Sequence, residues 1–258
     1  VTAANYFLHV PANEFGNQGQ LRAMVSMPGA GALNSTLDDD VDENGTDAVI
    51  PSIYGISTPV FSINAAVNTR RRADRLVVTF HGARRSKSGE SKNTGPMFMR
   101  HDWEDAYGCP ILAISDPIGE MPWGMGLPRP SLYFGTFQND LVPEINALID
   151  KVCDELGISR DKVILYGASS GGSAALCVGA RRTTKTGVIA VCPYLRPKKS
   201  REQVVKVVAK AAGGDISDWN DTLEENPERL NPITAIDLAF KSGADFRAVI
   251  AKNKQDVA

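Results

Sequence analysis

A chain of 258 residues, 43% hydrophobic, with 28 basic and 30 acidic side chains, is long enough to bury one substantial core and carries almost no net charge. Its basic residues come in short separated clusters, Arg70-Arg71-Arg72, Arg84-Arg85 and Lys198-Lys199, which argues against a nucleic-acid face or a basic membrane-surface helix. No apolar run approaches the roughly 20 residues of a membrane span, and the first ten residues lack the regions of a signal peptide. A soluble protein is expected, with the cytoplasm favoured over other compartments.

Strands are predicted at 6–10, 21–27, 60–67, 75–81, 111–115, 162–167, 187–192 and 246–252. From about residue 75 they alternate with helical segments, the pattern of an α/β domain with a mostly parallel central sheet and helices on both faces, here taken as one domain over 1–258. The earlier strands, separated by turns, suit an antiparallel start to that sheet. Before residue 60, the stretch DDDVDENGTD sets Asp40, Asp42 and Asn44 at alternate positions ahead of Gly45, the first half of a calcium loop. Position twelve of that pattern is Pro51 where a bidentate Glu belongs, so a solvated loop is favoured and no metal is assigned.

The 75–81 strand ends in His81-Gly82-Ala83, and MFMRHDWEDAYG, carrying His101, reads as a helix after that turn. After 111–115 comes a long Pro/Gly-rich connection, PIGEMPWGMGLPRPSLYFGT. Loops of this length at a strand end often line ligand sites, which makes Trp123, Tyr133 and Phe134 candidate walls of an acyl or glycan pocket; packing under the loop is the alternative. The clearest helix is 139–156: Leu141, Ile145, Leu148, Ile149, Val152, Cys153 and Leu156 share one face, Asn139 or Asp140 caps its start and Gly157 ends it. Segment 197–243 reads as helices inserted between two strands, a cap or an elaborated crossover. The four cysteines, Cys109, Cys153, Cys177 and Cys192, lack metal or disulfide spacing and read as core thiols.

The most informative stretch is VILYGASSGGSAAL at 163–176, where a short apolar strand gives way to an alanine-rich helix through a Gly/Ser cluster. Gly167-Ala168-Ser169-Ser170-Gly171 fits G-x-S-x-G, in which a serine is held on a sharp turn with its hydroxyl above the sheet. Gly167 and Gly171 keep side chains out of the tight turn. Ser169 then stands at a helix N-terminus as a nucleophile, and the Ser170 N–H becomes one oxyanion donor. A reductase phosphate turn can also read GASSG, and Tyr194 and Lys198 mimic its Tyr-x-x-x-Lys pair. Such a turn belongs to the first βα unit, however, and Pro197 interrupts that pair. No Gly-Lys-Ser/Thr follows, which excludes a P-loop.

Taken in order, LVVTFHGA, ILAISDP and VILYGASSGGSAAL resemble the α/β-hydrolase superfamily, in its serine esterase and acyltransferase type, over about residues 60 to 258. The resemblance implies a second oxyanion donor from the N–H of Gly82 or Ala83, with His81 structural in that turn. It implies Asp256, in the loop after 246–252, as the acid. The histidine should follow, yet His9, His81 and His101 all precede Ser169. The expectation is therefore a chain lacking the family's last helix, strand and histidine loop, with the base supplied by a missing C-terminal segment or a second chain. The implied activity is attack on a carboxylic ester, small-molecule or glycan, through an acyl-enzyme and without a cofactor. An acyltransferase with the same nucleophile and a non-catalytic binding module are the alternatives.

Overall fold

The computed structural model describes residues 52–57, 62–69, 71–82, 97–117, 133, 135, 140–195, 227–229 and 231–252. Its strands form one seven-stranded sheet in the order β1-β2-β4-β3-β5-β6-β7. These are β1 (Ser52–Ser57), β2 (Ser62–Asn68), β3 (Leu76–Phe80), β4 (Ile111–Ile114), β5 (Val163–Ala168), β6 (Thr186–Val191) and β7 (Phe246–Ala251). β1 pairs antiparallel with β2 and β2 with β4, while β4-β3-β5-β6-β7 are all parallel. The antiparallel start is thus present. β1 was not anticipated: SIYGIS has neither a continuous apolar run nor clean alternation. The expected strands at 6–10 and 21–27 lie outside the described residues.

Alternation along the strands sorts side chains into two layers, because successive residues point to opposite faces. Leu76, Val78 and Phe80 of β3, Leu112 and Ile114 of β4, and Val163 and Leu165 of β5 enter the main core. Against that face lie α2 (Leu141–Glu155), α3 (Ser170–Ala180) and α4 (Pro232–Lys241). The seven apolar residues that α2 buries include six of those predicted from its spacing, and Asp140 caps it, its Oδ1 accepting the Val142 N–H at 3.0 Å. α4 opens with Asn231 as cap and Pro232 in its first position, where the missing N–H costs nothing. On the opposite face Val77, Cys109 and Ile111 pack with Tyr107 of the short α1 (Glu104–Tyr107), Ile164 and Tyr166. His101 lies in a turn ahead of α1, not within a helix.

Arg182, its side chain 1% exposed, binds the elements of the main layer together. It donates to Asn146 Oδ1 and Asp150 Oδ1 of α2, to Thr184 Oγ1, and to Thr186 Oγ1 at the start of β6. No helix among the described residues is long and apolar enough to cross a membrane. Of the expected helical insertion at 197–243, the described part is a 3-10 turn at Pro227–Arg229 and the stretch 231–243, chiefly α4.

Cys109, Cys153 and Cys177 are core thiols, whereas Cys192, at the end of β6, is half-buried with φ 46°. Burial raises the Cys109 thiol, pushes Cys153 up to about 11 and pushes Cys177 up to about 12. Only the thiolate attacks a disulfide reagent. At pH 8, Ellman's reagent is therefore expected to modify Cys192 first and to reach Cys153 and Cys177 only on unfolding. Four equal rates in the native protein would contradict this burial.

Candidate active site

The C-terminal ends of the parallel strands carry the site. β5 runs straight into α3 through Ser169, whose backbone has φ 57° and ψ −127°. This region is natural to glycine and strained by about 1–3 kcal/mol for other residues. Ser169 is the N-cap of α3, yet its side chain makes no capping hydrogen bond, which leaves the half-buried hydroxyl uncommitted to the helix. Its backbone N–H is held by the Val191 carbonyl at 2.8 Å, so the bend is clamped to the end of β6.

The glycines around Ser169 have a steric reason. A Cβ on Gly167 would lie 2.1 Å from the Gly171 carbonyl oxygen, and one on Gly171 would lie 2.5 and 2.6 Å from the Phe80 and His81 oxygens. The first turn of α3 thus rests directly on the end of β3. That contact brings the His81-Gly82 turn alongside the serine: a Cβ on Gly82 would sit 3.7 Å from Ser169 Cβ. The Ser170 N–H, in the first helical turn, has no intrahelical acceptor, and the helix dipole adds partial positive charge there. Ser170 Oγ is buried without a hydrogen-bond partner among the described residues.

His81 is 2% exposed, and its ring is fully engaged. The Asp116 N–H donates to Nε2 at 3.1 Å, so Nε2 is the unprotonated nitrogen; Nδ1 carries the proton and donates to the Gly82 carbonyl at 2.8 Å. Tyr133 lies beneath this turn. It has no exposed surface, so it is not positioned as the pocket wall that its loop suggested. Its hydroxyl accepts the His81 N–H at 3.0 Å and donates to the Ile114 carbonyl at 2.8 Å. For Tyr133 the structure selects the packing alternative over the pocket wall, while Asp116 was missed in the sequence, where ILAISDP gave no local signal for it. Three of the four described non-glycine residues with positive φ, Tyr133, Ser169 and Cys192, stand at this end of the sheet.

Ala83, Trp123, Phe134 and Asp256 lie outside the described residues, as do Asp40, Asp42 and Asn44. His101 is exposed, with Nδ1 bonded to the Phe98 carbonyl at 2.8 Å. Two clefts of about 150 and 200 Å³ lie away from Ser169, the first against Asn146, Asp150 and Arg182, the second against Arg75, Lys162 and Arg247.

Comparison with protein-family models finds no match, and comparison with curated sequences finds none. Among solved structures the chain is similar to the capsule O-acetyltransferase of Neisseria meningitidis serogroup A, with 12% identity and TM-score 0.49 over 78% of this chain and 87% of that one. It is similar to the substrate-bound fluorophosphonate-binding serine hydrolase F of Staphylococcus aureus, with 14% identity and TM-score 0.49 over 78% of each chain. A third, the acetyl xylan esterase from Paenibacillus sp. R4, has 11% identity and TM-score 0.46 over 95% of this chain and 86% of that one. By its own strand order and its strand-to-serine-to-helix turn, the chain has an α/β-hydrolase-like fold, a mostly parallel sheet with helices on both faces.

Proposed function

We propose that the protein is a serine hydrolase acting on a carboxylic ester through an acyl-enzyme. The observation that carries this reading is the conformation of Ser169: φ 57° and ψ −127° at a helix N-cap, with no capping bond and with Gly82 packed against it. A residue held at such a cost at a helix N-terminus, with the Gly82 turn beside it, suits the requirements of acyl transfer. The Ser169 hydroxyl attacks the ester carbonyl while its proton passes to a base. The negative oxygen that forms is met by the N–H of Ser170 and by that of Gly82 or Ala83, and collapse expels the alcohol. Water, or a hydroxyl acceptor in the acyltransferase version, then releases the acyl group. Asp256, after β7, is the acid of this reading, and small-molecule or glycan esters are its substrates.

The base is a histidine not supplied by the described residues, since both ring nitrogens of His81 are bonded within its own turn and His101 lies on an exposed one. That observation also favours a second reading, a binding module that keeps the fold without turnover. The two separate on one experiment. A fluorophosphonate probe is expected to label the protein at Ser169 and to leave Ser169→Ala unlabelled, with p-nitrophenyl ester turnover lost in the same variant. Equal labelling of both proteins would remove Ser169 from the chemistry, and no labelling of either would favour the module.

A further inference from the structure

Tyr133 is fixed more thoroughly than an ordinary packed aromatic. Its ring stands edge-on to Phe80, with centroids 5.1 Å apart and planes at 87°, and lies 5.4 Å from the His81 imidazole. Its hydroxyl bridges β3 and β4, accepting from the His81 N–H and donating to the Ile114 carbonyl. Its own N–H donates to Asp116 Oδ2 at 3.3 Å, and the Asp116 N–H in turn donates to His81 Nε2. Two of these bonds reach His81 directly, and His81 spends its only ring proton on the Gly82 carbonyl. Tyr133 also holds φ 55°, so the chain accepts backbone strain to deliver this side chain.

With the His81 N–H held by the Tyr133 hydroxyl and the Gly82 carbonyl held by the His81 ring, the backbone is fixed on both sides of the Gly82 N–H, beside Ser169. We propose that Tyr133 is a positioning residue for oxyanion stabilisation: its hydroxyl fixes the end of β3, and through His81 it holds the Gly82 N–H in place. This inference rests on the ester-acting reading above.

The test is Tyr133→Phe, assayed on an oxo ester and on its thiono analogue, p-nitrophenyl acetate and p-nitrophenyl thionoacetate. Sulfur is a poor acceptor for amide donors, so the oxo ester depends on donor alignment far more than the thiono ester does. Misplacing a donor by an ångström is worth up to about a hundredfold in rate. The expected result is a roughly tenfold to hundredfold fall in kcat for the oxo ester with KM within about twofold. The thiono ester should fall by much less, so that the oxo/thiono ratio drops about tenfold. An equal fall on both esters, or no fall on either, would overturn the role of Tyr133 and leave the ester-acting reading standing. Turnover of both esters unchanged in Ser169→Ala would remove that reading and this inference with it. Should Tyr133→Phe fail to fold, 3,5-difluorotyrosine placed at position 133 keeps the ring and weakens the oxygen as an acceptor. The same drop in ratio, at smaller amplitude, is then expected, and an unchanged ratio overturns the proposal.

Discussion

Ser169→Gly is expected to produce a protein that melts higher than the parent and is inert toward esters. The serine occupies φ 57° and ψ −127°, and its hydroxyl does not cap the helix it begins. Glycine adopts this conformation freely, so the substitution releases about 1–3 kcal/mol of backbone strain. Glycine's greater freedom in the unfolded chain takes back about 0.5–1 kcal/mol. A net gain of about 1 kcal/mol should raise Tm by about 2–4 °C in a protein of this size. On the proposed reading of Ser169 as nucleophile, ester turnover should fall by at least about a thousandfold. Thermal unfolding and an ester assay on the same samples check both halves. A lower Tm would mean that the turn is relaxed and that the hydroxyl holds structure.

Gly171→Ala is expected to cost upwards of about 3 kcal/mol, because both atoms in the way are backbone. A methyl group there would sit 2.5 Å from the Phe80 oxygen and 2.6 Å from that of His81, and neither can swing aside. Relief requires α3 to lift off β3, which also carries Gly82 away from Ser169, so activity should fall about a hundredfold in whatever fraction folds. Gly187→Ala is the control. It lies on a parallel strand of the same sheet, and its Cβ would meet nothing closer than 3.8 Å. Urea unfolding is expected to show a large shift in midpoint for the first and a shift within about 1 kcal/mol for the second. Similar midpoints would mean that the helix does not rest on β3 as described.

The parts legible in the sequence were those with a local cause. Buried parallel strands such as VVTF and VILYGA are continuous apolar runs, and α2 shows its face through 3.6-residue spacing, so both were found to within a residue or two. The Gly167-to-Gly171 turn was legible because steric exclusion leaves a compositional trace. β1 was not, since SIYGIS takes its extended form from pairing with β2 and not from its own pattern. Tyr133 shows the same limit at the site: an aromatic in a Pro/Gly-rich loop reads alike whether it walls a pocket or plugs the base of one. Only the meeting of His81, Ile114 and Asp116, which are distant in sequence, separates the two. The Cys192 thiol was misread for a related reason, because GVIAVC gives no sign that the strand buries only alternate residues and ends at Val191, leaving Cys192 half-buried.

The bond from the Ser169 amide to the Val191 carbonyl joins the reactive bend to a neighbouring strand in the interior of the sheet. In deuterated solvent, that amide should then exchange only when the whole domain opens, at a rate set by global unfolding and not by breathing of a surface loop. The bend should therefore keep its geometry at temperatures where the outer β7 edge already frays.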